Sequence, residues 1–439
     1  MFSFPGSAGI FLASSDGALD PPMKANSRGL ALVALQKWRA GEQFADAILG
    51  QLLRSSDLAA PDRAFSTELF YGVLRNRTLL DFWIDSFRSR HLDHDMRDLL
   101  RLGLYQLFLL DTPEHAAVFE TVALAAPKNR SLVNAVLRSA TRSKAELLRK
   151  TGEQELSVRT SHPQFLIDRW VKNFSEKNSE ARCDWNNRPA PLYARINRLK
   201  ISEDAFLVGS ARCADRTPQR SVPTNFVRLT NIPHEALAAG HCYIQDPSTA
   251  TACLLLDPKP GDSVLDACAA PGGKTGYLAE LMKNEGFILA CDRDENRLGT
   301  LRDNLERLGV VIGHGVRHDW TTNEPLPDRT MFDRILIDAP CSNTGVMRRR
   351  VDLRWRLTPE SLSLMRAGQL GIVRATIPLL KPGGVLVYST CSIEPEENEE
   401  VVRAILEESP FLKLADQISL LPFRDGFDGA FAAKLIRAA

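Results

Sequence analysis

The sequence predicts a multidomain protein in which an all-α N-terminal domain precedes an α/β domain with a doubly wound, mostly parallel sheet. Three observations support this fold class. The chain has 439 residues, more than a single domain normally holds. Residues 28–150 place apolar side chains at helical spacing and show no alternating strand pattern. From residue 246 onward, short apolar runs alternate with helical stretches, which is typical of a parallel sheet covered on both faces.

Composition and charge exclude several classes of protein. The chain is 44% hydrophobic and 25% charged, as expected for a globular protein. No apolar run reaches the roughly 18 residues of a membrane helix, so we expect no membrane association. Eight cysteines without a C-x-x-C pair, in a chain without a signal peptide, predict a cytoplasmic protein with free thiols. The formal net charge is only +1, so any surface for nucleic acid has to be local.

Four segments are predicted along the chain. Gly, Ser and Pro dominate the start, where translation has two candidate origins, Met1 and Met23. The segments are 1–27, a disordered leader; 28–150, the helical domain; 151–245, a linking α/β subdomain; and 246–439, the α/β domain. Strands of the last segment are expected in "SVLDAC", "GFILACD", "FDRILIDAP" and "GGVLVYSTC". Its helices are expected at Lys274–Lys283, Glu295–Leu308, Thr358–Leu379 and Glu396–Glu407.

The stretch "VLDACAAPGGKTGYLAEL" combines a strand, a glycine loop and a helix start. A Walker phosphate loop would need glycine where Cys268 stands, and the dinucleotide G-x-G is absent. The free backbone N–H groups of such a loop can still hold a polar small molecule. The next strand ends in Asp292, about 20 residues later, where an acid suits ribose hydroxyls. Among nucleoside ligands, S-adenosyl-L-methionine fits this pattern best.

Two cysteines follow neighbouring strands, Cys341 in "DAPCS" and Cys391 in "STCS". Ligands of a doubly wound sheet bind beyond the carboxyl ends of its strands. Free cysteines are often simply buried, but loops of small polar residues favour an accessible thiol. Carbon 5 of a pyrimidine becomes nucleophilic only after a thiolate adds at carbon 6. A thiol beside an adenosyl-methionine site therefore indicates methyl transfer to that carbon.

Three long motifs carry a family resemblance: "VLDACAAPGGKT", "DAPCSNTGVMRRRVDLRW" and "YSTCSIEPEENE" resemble those of the RNA cytosine-C5 methyltransferases. "ELFYGVLRNRTLLD", "LLRLGLYQLFLLD" and "LVNAVLR" are similar to the NusB-like RNA-binding domain of the RsmB (Sun/Fmu) branch. The resemblance runs from about Arg28 to the C-terminus. It implies a NusB-like domain joined to a Rossmann-like class I methyltransferase domain. The implied reaction methylates a cytosine of small-subunit (16S) ribosomal RNA at C5 through a covalent cysteine–C6 adduct.

The resemblance also implies residue roles. Cys391 is the expected nucleophile and Cys341 the group that releases the product, although chemistry alone leaves open which thiol attacks. Asp338 is expected between cofactor and cytosine, oriented by Lys274. Asp292 is expected to bind the ribose. The loop expected to hold the methionine part comprises Cys268, Ala269, Ala270, Pro271, Gly272, Gly273 and Lys274. The acid expected near the adenine is Asp319, which requires a one-residue insertion after His318.

The segment "MRRRVDLRWR" beside Cys341 is interpreted as a phosphate-binding surface. Its predicted RNA contacts are Arg348, Arg349, Arg350 and Arg354, and Trp355 is either a stacking platform or a buried anchor. The acidic "EPEENEE" is interpreted as a helix start whose carboxylates suit the helix dipole. No metal is expected, because the pair His314 and His318 lacks a third ligand.

Two other functions remain open from the sequence. One is a non-catalytic RNA-binding or assembly factor that keeps the fold, although Cys341, Cys391, Lys274 and Asp338 are all retained. The other is a methyltransferase acting on transfer RNA instead of ribosomal RNA. A monomer is the expected oligomeric state, and the methylated position is not encoded in any recognisable feature.

Overall fold

The computed structural model describes residues 26–41, 43–87, 92–210, 213–215, 225–322, 326 and 331–439. The leader predicted for 1–27, with its two possible starts, lies almost entirely outside the described residues. The chain divides into two compact units. The first unit comprises the residues up to Val73 together with Ile84–Lys144. The second unit comprises Leu74–Trp83 together with Ala145–Ala439. The domain boundaries expected at 28, 151 and 246 stay predictions.

The helical character expected for residues 28–150 is confirmed. The helices are α1 (Ser27–Ala40), α2 (Ala45–Arg54), α3 (Ala60–Arg75), α4 (Arg77–Asp85), α5 (His94–Phe108), α6 (Glu114–Leu124), α7 (Arg130–Arg142) and α8 (Lys144–Gly152). Helix α5 is the most buried element of the first unit, and even Asp98 and Arg101 lie inside, paired at 2.7 Å. Gly103 lets α5 approach α7, because a Cβ there would lie 2.8 Å from the Leu137 side chain.

The second unit begins with short helices that hold the segment Leu74–Trp83. Trp83 donates its indole N–H to Thr151 Oγ1 at 2.9 Å, and the Leu79 backbone N–H donates to Ser161 Oγ at 2.9 Å. These bonds satisfy polar groups that burial would otherwise leave unpaired. The helices that follow α8 are α9 (Leu156–Arg159), α10 (Gln164–Phe174) and α11 (Glu176–Asn187).

A small antiparallel sheet forms the middle of the chain. Its elements are β1 (Leu192–Ile196), α12 (Glu203–Gly209), β2 (Ala214–Asp215), β3 (Phe226–Leu229), α13 (His234–Ala238) and β4 (Cys242–Ile244). The strand order is β2-β3-β1-β4, so this part of the chain has the mixed α/β character expected for the linking segment. Alternating residues such as Ala194 and Ile196 form its small core with Phe206 and Val227.

The larger sheet, in the C-terminal part of the chain, has seven strands in the order β10-β11-β9-β8-β5-β6-β7. Its elements are α14 (Ala250–Leu256), β5 (Ser263–Asp266), α15 (Gly273–Leu281), β6 (Phe287–Asp292), α16 (Glu295–Leu308), β7 (Gly313–Arg317), β8 (Phe332–Asp338), α17 (Pro359–Thr376), β9 (Leu380–Thr390), α18 (Glu399–Glu408), β10 (Leu412–Leu420), α19 (Pro422–Asp425) and β11 (Ala430–Arg437). Strands β5 to β9 are parallel, and β11 pairs antiparallel with both β9 and β10, so β10 runs in the same direction as β5 to β9. The predicted doubly wound, mostly parallel sheet is confirmed.

Both faces of this sheet are covered, which explains the continuous apolar strands. Along β8, Ile335 and Ile337 pack with α17 and α18, whereas Leu336 between them packs with α14 and α15. Strand side chains alternate between faces, so a strand buried on both sides has to be apolar at every position. The polar residues Asp266, Asp292 and Asp338 come only at the carboxyl ends, where they meet at one edge.

Several elements differ from those predicted. Strands β7, β10 and β11 and helices α14 and α19 were not predicted; β7 is short and contains two glycines, and five consecutive residues of β10 are exposed. The helix expected from Glu396 begins only at Glu399, after a 3-10 turn over Pro395–Glu397. The helix expected to reach Lys283 ends at Leu281, because Lys283 adopts a left-handed conformation with φ of 55°.

Candidate active site

The glycine loop lies between the end of β5 and the first turn of α15. Gly272 has φ of +100°, a conformation that favours glycine, and its N–H bonds to the Ala269 carbonyl at 2.8 Å. The chain thereby turns directly into α15, whose first N–H groups have no partner within the helix. The loop predicted to hold the methionine part, residues 268–274, thus forms a turn around a helix N-terminus.

Asp266 ends β5 beneath this loop and is fully buried. Its Oδ2 accepts a hydrogen bond from Thr275 Oγ1 at 2.7 Å, whereas its Oδ1 is buried without a hydrogen-bond partner among the described residues. Burial raises the pKa of Asp266 to about 7, partly offset by the Thr275 bond. A buried acceptor without a donor is costly unless a ligand supplies one. The sequence placed Asp266 at the strand end next to the loop but gave it no role.

Asp292 lies at the end of β6, on the other side of the loop. Its carboxylate accepts from the Ala270 N–H at 3.3 Å and from the Asp294 N–H at 3.1 Å. Arg297 lies 3.4 Å from the same carboxylate and also donates to the Ala270 carbonyl at 2.5 Å. Asp292 therefore joins the loop to the start of α16, in the position where a ribose contact was predicted.

Asp319 lies just beyond β7, within a turn. Its carboxylate accepts from the Thr321 N–H at 3.0 Å and from the Thr321 hydroxyl at 2.7 Å. Its neighbour His318 is buried, and its backbone N–H bonds to the Asp292 carbonyl at 3.0 Å. The adenine contact assigned to Asp319 stays a prediction, and its carboxylate already holds the turn together.

Lys274 and Asp338 form an ion pair at the centre of the sheet edge. Their Nζ and Oδ2 atoms are 2.6 Å apart, and Ser389 Oγ donates to the other carboxylate oxygen at 3.0 Å. Burial lowers the pKa of Lys274, but the adjacent Asp338 carboxylate outweighs burial, and the net pKa is raised. Lys274 is therefore a cation held against one carboxylate, an arrangement that suits the orienting role predicted for it.

The two predicted thiols meet across neighbouring strand ends. Cys341 Sγ and Cys391 Sγ are 3.4 Å apart, and Cys391 also donates to Asn343 Oδ1 at 3.0 Å. Cys341 is only 6% exposed, while Cys391 is more accessible. The bond to Cys391 and burial raise the pKa of the Cys341 thiol well above its ordinary value. The accessible thiol suits attack, and the buried, protonated thiol suits proton transfer.

Sequence reasoning missed the polar residues beneath these thiols. Asn343 adopts a left-handed conformation with φ of 56°, and its amide N–H donates to the Cys341 carbonyl at 2.7 Å. Glu394 and Glu397, interpreted as first-turn carboxylates on a helix, are both fully buried before α18 begins. Asn398, with ψ of −97°, separates their 3-10 turn from α18, and no sequence signal indicated that these carboxylates would be buried.

The predicted RNA contact of Arg354 is wrong. Its guanidinium group is fully buried and donates to Asn187 Oδ1 at 2.8 Å and to the carbonyls of Ser161, Asn186 and Arg75. A group that already satisfies four acceptors inside the fold cannot reach a phosphate. Trp355 is likewise an anchor, because its indole N–H donates to the Leu74 carbonyl at 2.9 Å.

The predicted contact of Arg348 is also wrong, because only 4% of this residue is exposed. Its Nε donates to Asp428 Oδ1 at 2.9 Å, and its guanidinium stacks 4.0 Å from the Trp185 ring centre. Arg349 is partly exposed, but it bonds to Asp246 and Asp428. Arg350 is exposed, so RNA contacts stay predictions for Arg349 and Arg350 alone. The acids that neutralise this segment are distant in sequence and were therefore not anticipated.

Within the described ranges, no group of three or more His, Cys, Asp or Glu side chains is arranged to hold a metal ion. Over the same part of the chain, no helix combines the length and apolar character needed to cross a membrane.

Comparison with known families matches three parts of the sequence. Residues 253–436 match the family described as "16S rRNA methyltransferase RsmB/F". Residues 25–142 match the NusB family, and residues 162–209 match the ferredoxin-like domain described for RsmF/B-like methyltransferases. These matches cover the helical N-terminal part, the start of the middle sheet and the seven-stranded sheet.

Individual proteins are similar over nearly the whole chain. "Ribosomal RNA small subunit methyltransferase B" of Yersinia pseudotuberculosis is 34% identical over 435 residues, covering 94% of this chain and 99% of that protein. "Probable ribosomal RNA small subunit methyltransferase B" of Bacillus subtilis is 33% identical, covering 88% and 89%. The solved structure of PH0851 has a TM-score of 0.75 at 26% identity, covering 95% of this chain and 99% of that one.

Proposed function

Since the chain belongs to the RsmB/F family of 16S ribosomal RNA methyltransferases, we propose that it methylates carbon 5 of a cytosine in that RNA through a cysteine adduct. The single observation that carries the proposal is the thiol pair at 3.4 Å, one thiol accessible and the other buried. Methyl transfer to an exocyclic nitrogen or a hydroxyl would need no thiol, because those atoms are nucleophilic already.

The methyl donor is proposed to be S-adenosyl-L-methionine, which supplies an electrophilic methyl group when bound. The residues at the loop fit it. The unpartnered Oδ1 of Asp266 provides an acceptor for an ammonium group. The turn at Gly272 provides unpaired backbone N–H groups, and Asp292 stands at the next strand end for ribose hydroxyls. Asp319 is the weaker part of the assignment, because its carboxylate is engaged with Thr321.

Cys391 begins the reaction in this proposal. Its thiolate forms a bond to C6 of the cytosine, and the ring electrons make C5 nucleophilic. C5 then takes the methyl group, a base removes the C5 proton, and the S–C6 bond breaks to return the thiolate. Asn343 accepts from the resting thiol at 3.0 Å and thereby fixes the direction of attack.

Cys341 is proposed to assist release, because it lies within 3.4 Å of the sulfur that has to leave. Its raised pKa keeps it protonated at neutral pH, so it does not compete as a nucleophile. Asp338 is proposed to hold the cytosine, with its own position set by Lys274 and Ser389. A target base in a helix has to leave the stack to reach such a site. We further propose that the protein works as a monomer in the cytoplasm.

The test is transfer of labelled methyl groups from S-adenosyl-L-methionine to unmodified 16S ribosomal RNA, followed by nucleoside identification. The proposal predicts 5-methylcytidine in 16S RNA, lost in Cys391→Ala and retained in Cys213→Ala, a thiol in the middle sheet. Methyl transfer to transfer RNA but not to ribosomal RNA would contradict the proposed substrate. Label recovered in N4-methylcytidine would overturn the chemistry.

A further inference from the structure

Beneath the two thiols lies one carboxyl group that bonds to both of their loops. Glu397 is fully buried, in the 3-10 turn before α18. Its Oε1 accepts from the Ser342 backbone N–H at 2.8 Å, and its Oε2 accepts from the Ser342 and Ser392 hydroxyls, the latter at 2.5 Å. Ser342 directly follows Cys341, and Ser392 directly follows Cys391.

A fourth donor completes this arrangement. Gln369 of α17 donates its amide N–H to Glu397 Oε1 at 3.0 Å and to the Pro340 carbonyl at 3.0 Å. Pro340 directly precedes Cys341, so the Cys341 loop is held on both sides of the thiol. The Glu397 backbone is fixed as well, because Tyr388 of β9 donates to its carbonyl at 2.6 Å.

We infer that Glu397 is a positioning residue that sets the distance between the two thiols. This inference rests on the proposed function, in which Cys391 attacks and Cys341 assists release. Among the described residues, Glu397 makes no hydrogen bond to either sulfur, so it positions them through Ser342, Ser392 and Gln369. The two loops also touch directly, because the Ser342 and Ser392 hydroxyls lie 3.1 Å apart, and Glu397 holds this pair by bonding to both hydroxyls.

The geometry explains why a carboxylate occupies this position. Four donors converge on two oxygens, which an ionised carboxylate can accept completely. An amide would offer one oxygen and present two donors of its own to the same partners. A shift of about 1 Å in a reacting group lowers catalysis on the order of 100-fold. Loss of the carboxylate is therefore expected to change turnover far more than RNA binding.

The test compares Glu397→Ala, Glu397→Gln and the control Glu394→Gln in the intact protein. Glu394 is equally buried and lies three residues away, but its carboxylate bonds to Arg169 and Trp170, and only its backbone N–H, which the substitution keeps, donates to Ser392 Oγ. Arg169 also retains Glu396 as a partner in the control. We expect Glu397→Ala to lower kcat about 100-fold with KM for RNA within about threefold. Glu397→Gln should recover part of the lost kcat, and the kcat of Glu394→Gln should stay within about threefold of the wild-type value.

A second measurement does not depend on methyl transfer. Amide hydrogen exchange over residues 340–345 should be faster in Glu397→Ala than in Glu394→Gln. Each protein is measured at a temperature equally far below its own thermal midpoint. If the wild type transfers no methyl group, the proposed function is wrong. The exchange measurement still tests whether Glu397 holds the Cys341 loop in place. Equal kcat in Glu397→Ala and the wild type, or equal exchange in both variants, would overturn the inference.

Discussion

The two sides of the active site differ in how their buried polar groups are bonded. On the cofactor side, Asp266 keeps one buried oxygen without a donor, and its pKa is raised to about 7 by burial. On the thiol side, Glu397 accepts four hydrogen bonds and leaves no oxygen unused. We propose that a ligand completes the Asp266 carboxylate on the first side, whereas the Glu397 carboxylate on the second side already has its donors.

Cys391→Ala should distinguish the two sides most clearly, because it should affect methyl transfer and not cofactor binding. Removing the nucleophile should lower methyl transfer at least about 10⁴-fold, because water or another group cannot replace the thiolate. Binding of S-adenosyl-L-methionine should stay within about twofold, since Cys391 bonds to Asn343 and Cys341 and not to the glycine loop. Isothermal titration and the methyl-transfer assay measure the two quantities. A parallel loss of cofactor binding would show that the sides are not independent.

Asp338→Asn tests the point where the sides meet. Its carboxylate bonds to Lys274 from the glycine-loop helix and to Ser389 from β9. The substitution leaves Lys274 without its counter-charge, so we expect kcat/KM to fall about 100-fold. Ser389→Ala removes only the neutral hydrogen bond to Asp338 and serves as the milder comparison. It should lower kcat/KM about tenfold or less. Equal activity of Asp338→Asn and the wild type would remove Asp338 from the site.

Asp266→Asn should affect stability and ligand binding in opposite directions. The folded pKa of about 7 exceeds the ordinary value of 3.8, so the folded state binds the extra proton, and stability decreases as pH rises between these values. Removing this titration should raise the free energy of unfolding at pH 8 by about 2–4 kcal/mol and flatten its pH dependence. Denaturant unfolding at pH 4.5, 6 and 8 measures both. An unchanged pH dependence would contradict the assigned pKa.

The same substitution should weaken the cofactor complex about tenfold, because the ligand loses a charged acceptor. Protonation of Asp266 in the wild type removes the same charge. Affinity should therefore fall about tenfold in total as the pH decreases from 8 to 5, and then level off. Thr275→Val, which removes the other partner of Asp266, is the control for disturbed packing. Affinity independent of pH in the wild type would show that Asp266 does not face the ligand.

On the thiol side, Gln369→Ala has the smallest expected effect. It leaves the Pro340 carbonyl without a donor and removes one of four donors from Glu397. The free energy of unfolding should decrease by about 1–3 kcal/mol, and cofactor affinity should not change. Thermal unfolding with and without S-adenosyl-L-methionine checks both statements. A change in the ligand-induced shift of Tm would link this side chain to the cofactor side.

The sequence predicted which residues lie together at the strand ends better than it predicted the polar contacts around them. Cys341, Cys391 and Asp338 follow apolar runs, and buried parallel strands place their carboxyl ends together whatever the intervening residues are. Glu397 and Asn343 were missed because their roles depend on contacts with loops about fifty residues away. Arg354 was misassigned for the same reason, since its acceptors lie on segments far away in sequence.

The most direct test of the account is to map the covalent RNA adduct in Cys341→Ala. With release impaired, the thiol–cytosine bond should persist, and a denaturing gel should show a protein–RNA band that the wild type does not accumulate. Mass spectrometry of the digested band should place the nucleotide on the peptide containing Cys391, and the double variant Cys341→Ala with Cys391→Ala should give no band. A stable adduct on Cys341 in the single variant Cys391→Ala would contradict the account, because it would make the buried thiol the nucleophile.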